Sequence, residues 1–82
     1  MTNKELKQKF PVGKLYQINS RDNSRTFDAV VNNKYCSFEC KKEIFLLMDI
    51  SCAGYLKIYA LFSTGERGEI NFIEKNELKL IQ

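Results

Sequence analysis

The chain has 82 residues, a mass of 9.6 kDa and a net charge of +3, with 44% apolar and 28% charged residues. A length in this range is one domain, and it buries only ~60% of the surface its unfolded chain exposes, so one modest core must carry the fold. The proportions exclude a disordered, collagen-like or coiled-coil chain. The longest apolar run, Ile44 to Ile50 interrupted by Asp49, is far too short for a membrane span, and the polar first nine residues are not those of a signal peptide.

At the start, Thr2 and Glu5 have the spacing of a capping box, with Leu6 and Phe10 at helical spacing behind them. This predicts a short helix over residues 3–9, ended by Pro11 and Gly13 and stable only if Leu6 and Phe10 pack on the rest. From Leu15 onward the pattern alternates, and turn residues arrive every five to nine positions, the rhythm of a small all-β domain. Leu15 to Asn19 reads as a first strand, with Tyr16 and Ile18 on one face. A polar turn centred on Asp22 and Asn23 follows. Thr26 to Val31 and Lys34 to Phe38 read as a hairpin, because Asn32-Asn33 tolerates the positive φ of a type I′ turn. That register pairs Phe27 with Phe38, Ala29 with Cys36 and Val30 with Tyr35.

Ile44 to Ser51 is an almost wholly apolar strand. Strict alternation places Ile44, Leu46, Met48 and Ile50 on one face and Phe45 and Leu47 on the other, so it is expected to be central or covered by the N-terminal helix. Asp49 is expected to face outward or to be hydrogen-bonded. Tyr55 to Ser63 turns Leu56, Ile58, Ala60 and Phe62 inward. After a turn at residues 64–68, Glu69 to Ile73 turns Ile70 and Phe72 inward. Residues 74–77 read as one helical turn and Leu78 to Ile81 as a short closing strand.

Gly68-Glu69-Ile70-Asn71-Phe72-Ile73 running through Glu74-Lys75-Asn76-Glu77 into Leu78-Lys79-Leu80-Ile81 resembles the ending of Src-homology-3-like (SH3-like) barrels, and Val12-Gly13-Lys14-Leu15-Tyr16 resembles their opening. The order of elements over residues 12–81 is similar to that of small SH3-like proteins of bacteria and bacteriophage. A composition rich in lysine, asparagine and isoleucine and poor in alanine fits such an A·T-rich origin. The resemblance implies a mainly all-β fold: a small antiparallel barrel with a short N-terminal helix, spanning residues 1–82 as a single domain. Residues 1–11 would form a helical arm, and the 26–38 hairpin would be an insertion in the first long loop. The chain departs from the peptide-binding members of the family by lacking tryptophan and by carrying Arg21 and Arg25 in that loop, so a polyproline groove is not implied.

Catalysis is not expected. Histidine is absent, which excludes Ser-His-Asp and Cys-His arrangements, and there is no phosphate-cradling glycine motif. Three cysteines without histidine do not make a structural zinc site, so no metal or cofactor is expected; Cys36 and Cys52 read as small core fillers. An odd cysteine count points to a reducing compartment, hence a cytoplasmic protein, or one in the host cytoplasm if phage-encoded. Two functional expectations remain. The first is a non-catalytic protein-interaction or accessory structural module, meeting another protein or a second copy of itself through Val30, Tyr35, Phe45 and Leu47. The alternative is nucleic-acid binding by the basic half. Residues 1–42 carry nine basic and four acidic groups, a balance of +5, against −2 for residues 43–82. That surface would use Lys4, Lys7, Lys9, Lys14, Arg21, Arg25, Lys41 and Lys42, with Tyr16 and Tyr35 for stacking.

Overall fold

The computed structural model describes residues 2–19 and 25–82. Helix α1 (Asn3–Lys9) starts where the capping box predicts, with the Thr2 hydroxyl accepting from the Glu5 N–H. Seven strands follow: β1 (Leu15–Ile18), β2 (Thr26–Val31), β3 (Lys34–Glu39), β4 (Phe45–Ala53), β5 (Tyr55–Leu61), β6 (Arg67–Ile73) and β7 (Leu78–Leu80). A single 3-10 turn, η1 (Lys75–Glu77), precedes the last. They form one antiparallel sheet in the order β3-β2-β6-β5-β4-β1-β7, curled into a half-barrel. The fold is therefore all-β with a short N-terminal helix. No helix among the described residues is long and apolar enough to cross a membrane.

The β2–β3 hairpin has the register read from the sequence, with Asn32 and Asn33 at φ 52° and 63°. It joins the common sheet through β6. Its inner face is fastened by an aromatic cluster in which Phe38 stacks on Phe62 at 4.4 Å and Phe27 lies 5.6 Å from Phe38 and 6.4 Å from Phe45. Where β2 passes β6, Gly68 leaves no room for a side chain. A Cβ there would sit 2.8 Å from both the Phe62 ring and a Val31 methyl, and 2.9 Å from the Val30 carbonyl oxygen.

Two bulges overturn the strict alternation expected of β4 and β6. Between Leu47 and Asp49, β4 carries one residue more than β5, so Phe45, Leu47 and Ile50 all face the core while Met48 and Asp49 both face out. Phe45 and Leu47 are fully buried, and α1 packs against β4 with Leu6 equally buried. Their expected role as partner-contacting residues is thus corrected: they are core residues beneath the helix. In β6, three steps from Ile70 to Ile73 face two from Ile58 to Leu56 on β5. Ile70 and Ile73 therefore both point inward, and Phe72, expected inside, is 78% exposed.

Glu43 is the one buried charged residue among those described. Its carboxylate accepts from the Ser63 N–H at 2.9 Å and from the Ser63 hydroxyl at 3.0 and 2.8 Å. Fully hydrogen-bonded burial of this kind is tolerated, and it ties the β5–β6 turn to the β3–β4 connection.

Candidate functional site

Strands β2 and β6 pair at only two positions, Ala29–Ile70 and Val30–Glu69. Beyond them the ladder ends, and an open cleft of about 390 Å³ lies between the two strands. Buried Ile18, Phe27, Cys40 and Ile73 line its floor. Its walls are Thr26, Asp28, Val30 and Tyr35 from the hairpin, and Asn71, Phe72 and Glu77 from β6 and η1. Two of the most exposed large apolar side chains, Tyr35 at 83% and Phe72, both line this surface.

Phe72 owes its exposure to the bulge. It occupies φ +63°, a left-handed conformation that a bulky residue holds only under local strain. The ring stands out of the sheet and makes an edge contact with Tyr55 at 6.0 Å. A bulge position of this type normally takes glycine. Phe72→Gly should therefore raise stability by about 0.5–1 kcal/mol, the relief of backbone strain exceeding the lost edge contact. Thermal denaturation followed by circular dichroism would read this as a rise of about 4 °C. A fall would mean that the ring stabilises the fold itself.

Among the described residues, the charged side chains on the cleft walls are Asp28 and Glu77, both acidic. One Glu77 oxygen accepts the Glu74 N–H at 3.1 Å, closing the cap of η1.

Of the sequence-derived residues, the structure brings Val30 and Tyr35 to this surface and places the other described ones apart from it. Val30 is half-buried and Tyr35 exposed, both on the cleft. Lys4, Lys7 and Lys9 lie on α1, Lys14 in the α1–β1 connection, Arg25 just before β2, and Lys41 and Lys42 in the β3–β4 turn; all are exposed. Lys7 is 3.4 Å from Asp49, Lys42 is 3.3 Å from Glu39, and Lys9 sits 5.6 Å over the Phe10 ring. Arg21 and the Asp22-Asn23 turn lie outside the described residues. Tyr16 is a correction: its ring is fully buried against Phe10, and its hydroxyl donates to the Pro11 carbonyl at 2.9 Å, so it offers no face for stacking. Burial pushes its phenol above the ordinary tyrosine range.

Asp49 faces outward, and the Ile50 N–H donates to its carboxylate at 2.8 Å. That bond, aided by Lys7, holds its pKa below the usual carboxylate range. Cys36 and Cys52 are partly buried and packed against the core, as expected of fillers. Among the described residues, no three His, Cys, Asp or Glu side chains converge as metal ligands would.

Sequence reasoning missed Phe72, Asp28, Asn71 and Glu77. Comparison with known proteins gives no matching family model, no similar curated protein and no similar solved structure. The functional reading therefore rests on the geometry of the cleft.

Proposed function

We propose that the protein is a non-catalytic interaction module of SH3-like build that grips a segment of a partner protein in the β2–β6 cleft. The strand succession β7-β1-β4-β5-β6, with the hairpin inserted between β1 and β4 in the chain, supports the SH3-like resemblance. The observation that carries the functional reading is Phe72. A large apolar ring held out of the core in a strained backbone conformation, beside a second exposed aromatic and over an apolar floor, has the makeup of an interface hot spot. The acidic walls favour a partner segment carrying lysine or arginine beside apolar residues.

The test is a selection of random peptides displayed against the protein, followed by fluorescence anisotropy of a selected peptide. Tyr35→Ser and Phe72→Ser should each weaken binding by about 30-fold, the loss typical of a hot-spot side chain. Unchanged binding in both variants would remove the cleft as the site. A single-stranded oligonucleotide that bound the protein with a steep salt dependence, while no peptide did, would replace this reading with nucleic-acid binding.

A further inference from the structure

The sheet ends on one side at β7, which is only three residues long, and on the other at β3, which is six. Short edge strands protect themselves; longer ones need a proline, a bulge or an inward charge. Strand β3 contains no proline and pairs with β2 without a register shift. Alternation from the two-residue turn fixes which backbone groups it leaves over. Val31–Lys34, Ala29–Cys36 and Phe27–Phe38 are the hydrogen-bonded pairs, and the Cys40 N–H donation to the Arg25 carbonyl at 2.8 Å continues the same alternation. The N–H and C=O of Tyr35 and Ser37, and the N–H of Glu39, therefore point away from β2. The Glu39 carbonyl already accepts from the Lys42 and Glu43 N–H groups at 3.2 and 2.9 Å.

We infer that β3 pairs antiparallel with β3 of a second copy of this chain, about a two-fold axis at Ser37. This placement does not depend on the cleft reading, because it is argued from the main chain of β3; Tyr35 is the one side chain that lies on both surfaces. The set of free groups is self-complementary. Ser37 N–H and C=O meet their counterparts reciprocally, and each Glu39 N–H meets the other copy's Tyr35 carbonyl. No donor is brought against a donor.

Side chains agree on both faces. On the inner face, half-buried Cys36 meets Phe38 of the second copy, so each covers the other's exposed part. On the outer face, Ser37 meets Ser37 and Tyr35 meets Glu39, so no like charges stand opposite. Lys34 opens the strand and Glu39 closes it with four uncharged residues between. Antiparallel pairing brings those opposite ends together, while parallel pairing would set like ends side by side. Glu39 already pairs with Lys42 at 3.3 Å in an exposed ion pair, so its charge adds little to the contact. An isologous contact of this kind closes at two copies and leaves no further edge of β3 to extend.

The test is sedimentation velocity over about 10 µM to 1 mM protein, the range in which mass action separates a weak dimer from a monomer. The wild-type chain should dimerise with rising concentration. Ser37→Lys and Ser37→Glu each place like charges opposite one another across the axis and should weaken dimerisation by about five-fold. An equimolar mixture of the two variants should form a heterodimer tighter than either homodimer. In the wild-type chain, amide exchange at Ser37 and Glu39 should slow with concentration while Cys36 and Phe38 do not change, a readout that needs no variant to fold. A wild-type chain that stays monomeric across the range, or variants that dimerise as the wild type does with no gain on mixing, would overturn the inference. A dimer whose Ser37 and Glu39 exchange is independent of concentration would also overturn it, placing the contact elsewhere.

Discussion

Gly68→Ala should destabilise the protein by about 2–3 kcal/mol, at the upper end of what one added methyl costs in a packed core. The new Cβ would stand 2.8 Å from the Phe62 ring and the Val31 methyl, and 2.9 Å from the Val30 carbonyl oxygen. The side chains can give way by rotation, but the carbonyl belongs to the Val30–Glu69 pairing and moves only with the backbone. The strain therefore falls on the two-position ladder that attaches the hairpin to the rest of the sheet. Chemical denaturation would read the loss as a lower midpoint at unchanged slope. Adding Val31→Ala should recover part of it, since that change removes one of the three close contacts, and the two substitutions should be non-additive because the groups touch. A Gly68→Ala variant as stable as the parent would mean that β2 and β6 are not in this close contact.

Leu6→Ala should cost about 3 kcal/mol, as deletion of a fully buried leucine does. In a domain of this size that corresponds to a fall of about 15 °C in Tm. Leu6 is the one buried residue within α1, so the helix has no second anchor of its own; Phe10, just past its end, is held by Tyr16. A seven-residue helix is not stable without tertiary contacts. Its loosening would uncover Phe45 and Leu47, and the variant should bind a hydrophobic dye that the parent does not. A change of only a few degrees in Tm would show that the arm is dispensable and that β4 is covered by other means.

Elements with strong local signals were legible in the sequence. The hairpin register followed from two adjacent asparagines, because a two-residue turn admits only one pairing and the positive φ at both positions suits that residue type. The helix and its anchors followed from capping and spacing. Facing failed in β4 and β6, where one extra residue inverts every side chain beyond it. In β4 a clue was present: if Asp49 faces water and Ile50 does not, and Phe45 and Leu47 lie inside, an additional residue is required. In β6 no such clue exists, since Phe72 sits where glycine would have announced the bulge. The cleft was illegible for the same reason. It arises from a bulge and from the parting of strands far apart in sequence, so Asp28, Asn71, Phe72 and Glu77 share no local pattern. Tyr16 looked available because a tyrosine at a strand start reads the same whether it faces solvent or core.

The placement of a partner segment in the cleft is tested most directly by mapping amide chemical shifts of the protein as a selected peptide is added. Shifts should concentrate on Thr26, Asp28, Val30, Tyr35, Asn71, Phe72 and Glu77, with α1 unaffected. Shifts confined to Lys4, Lys7 and Lys9 on α1 and to Lys41 and Lys42, with the cleft silent, would contradict it.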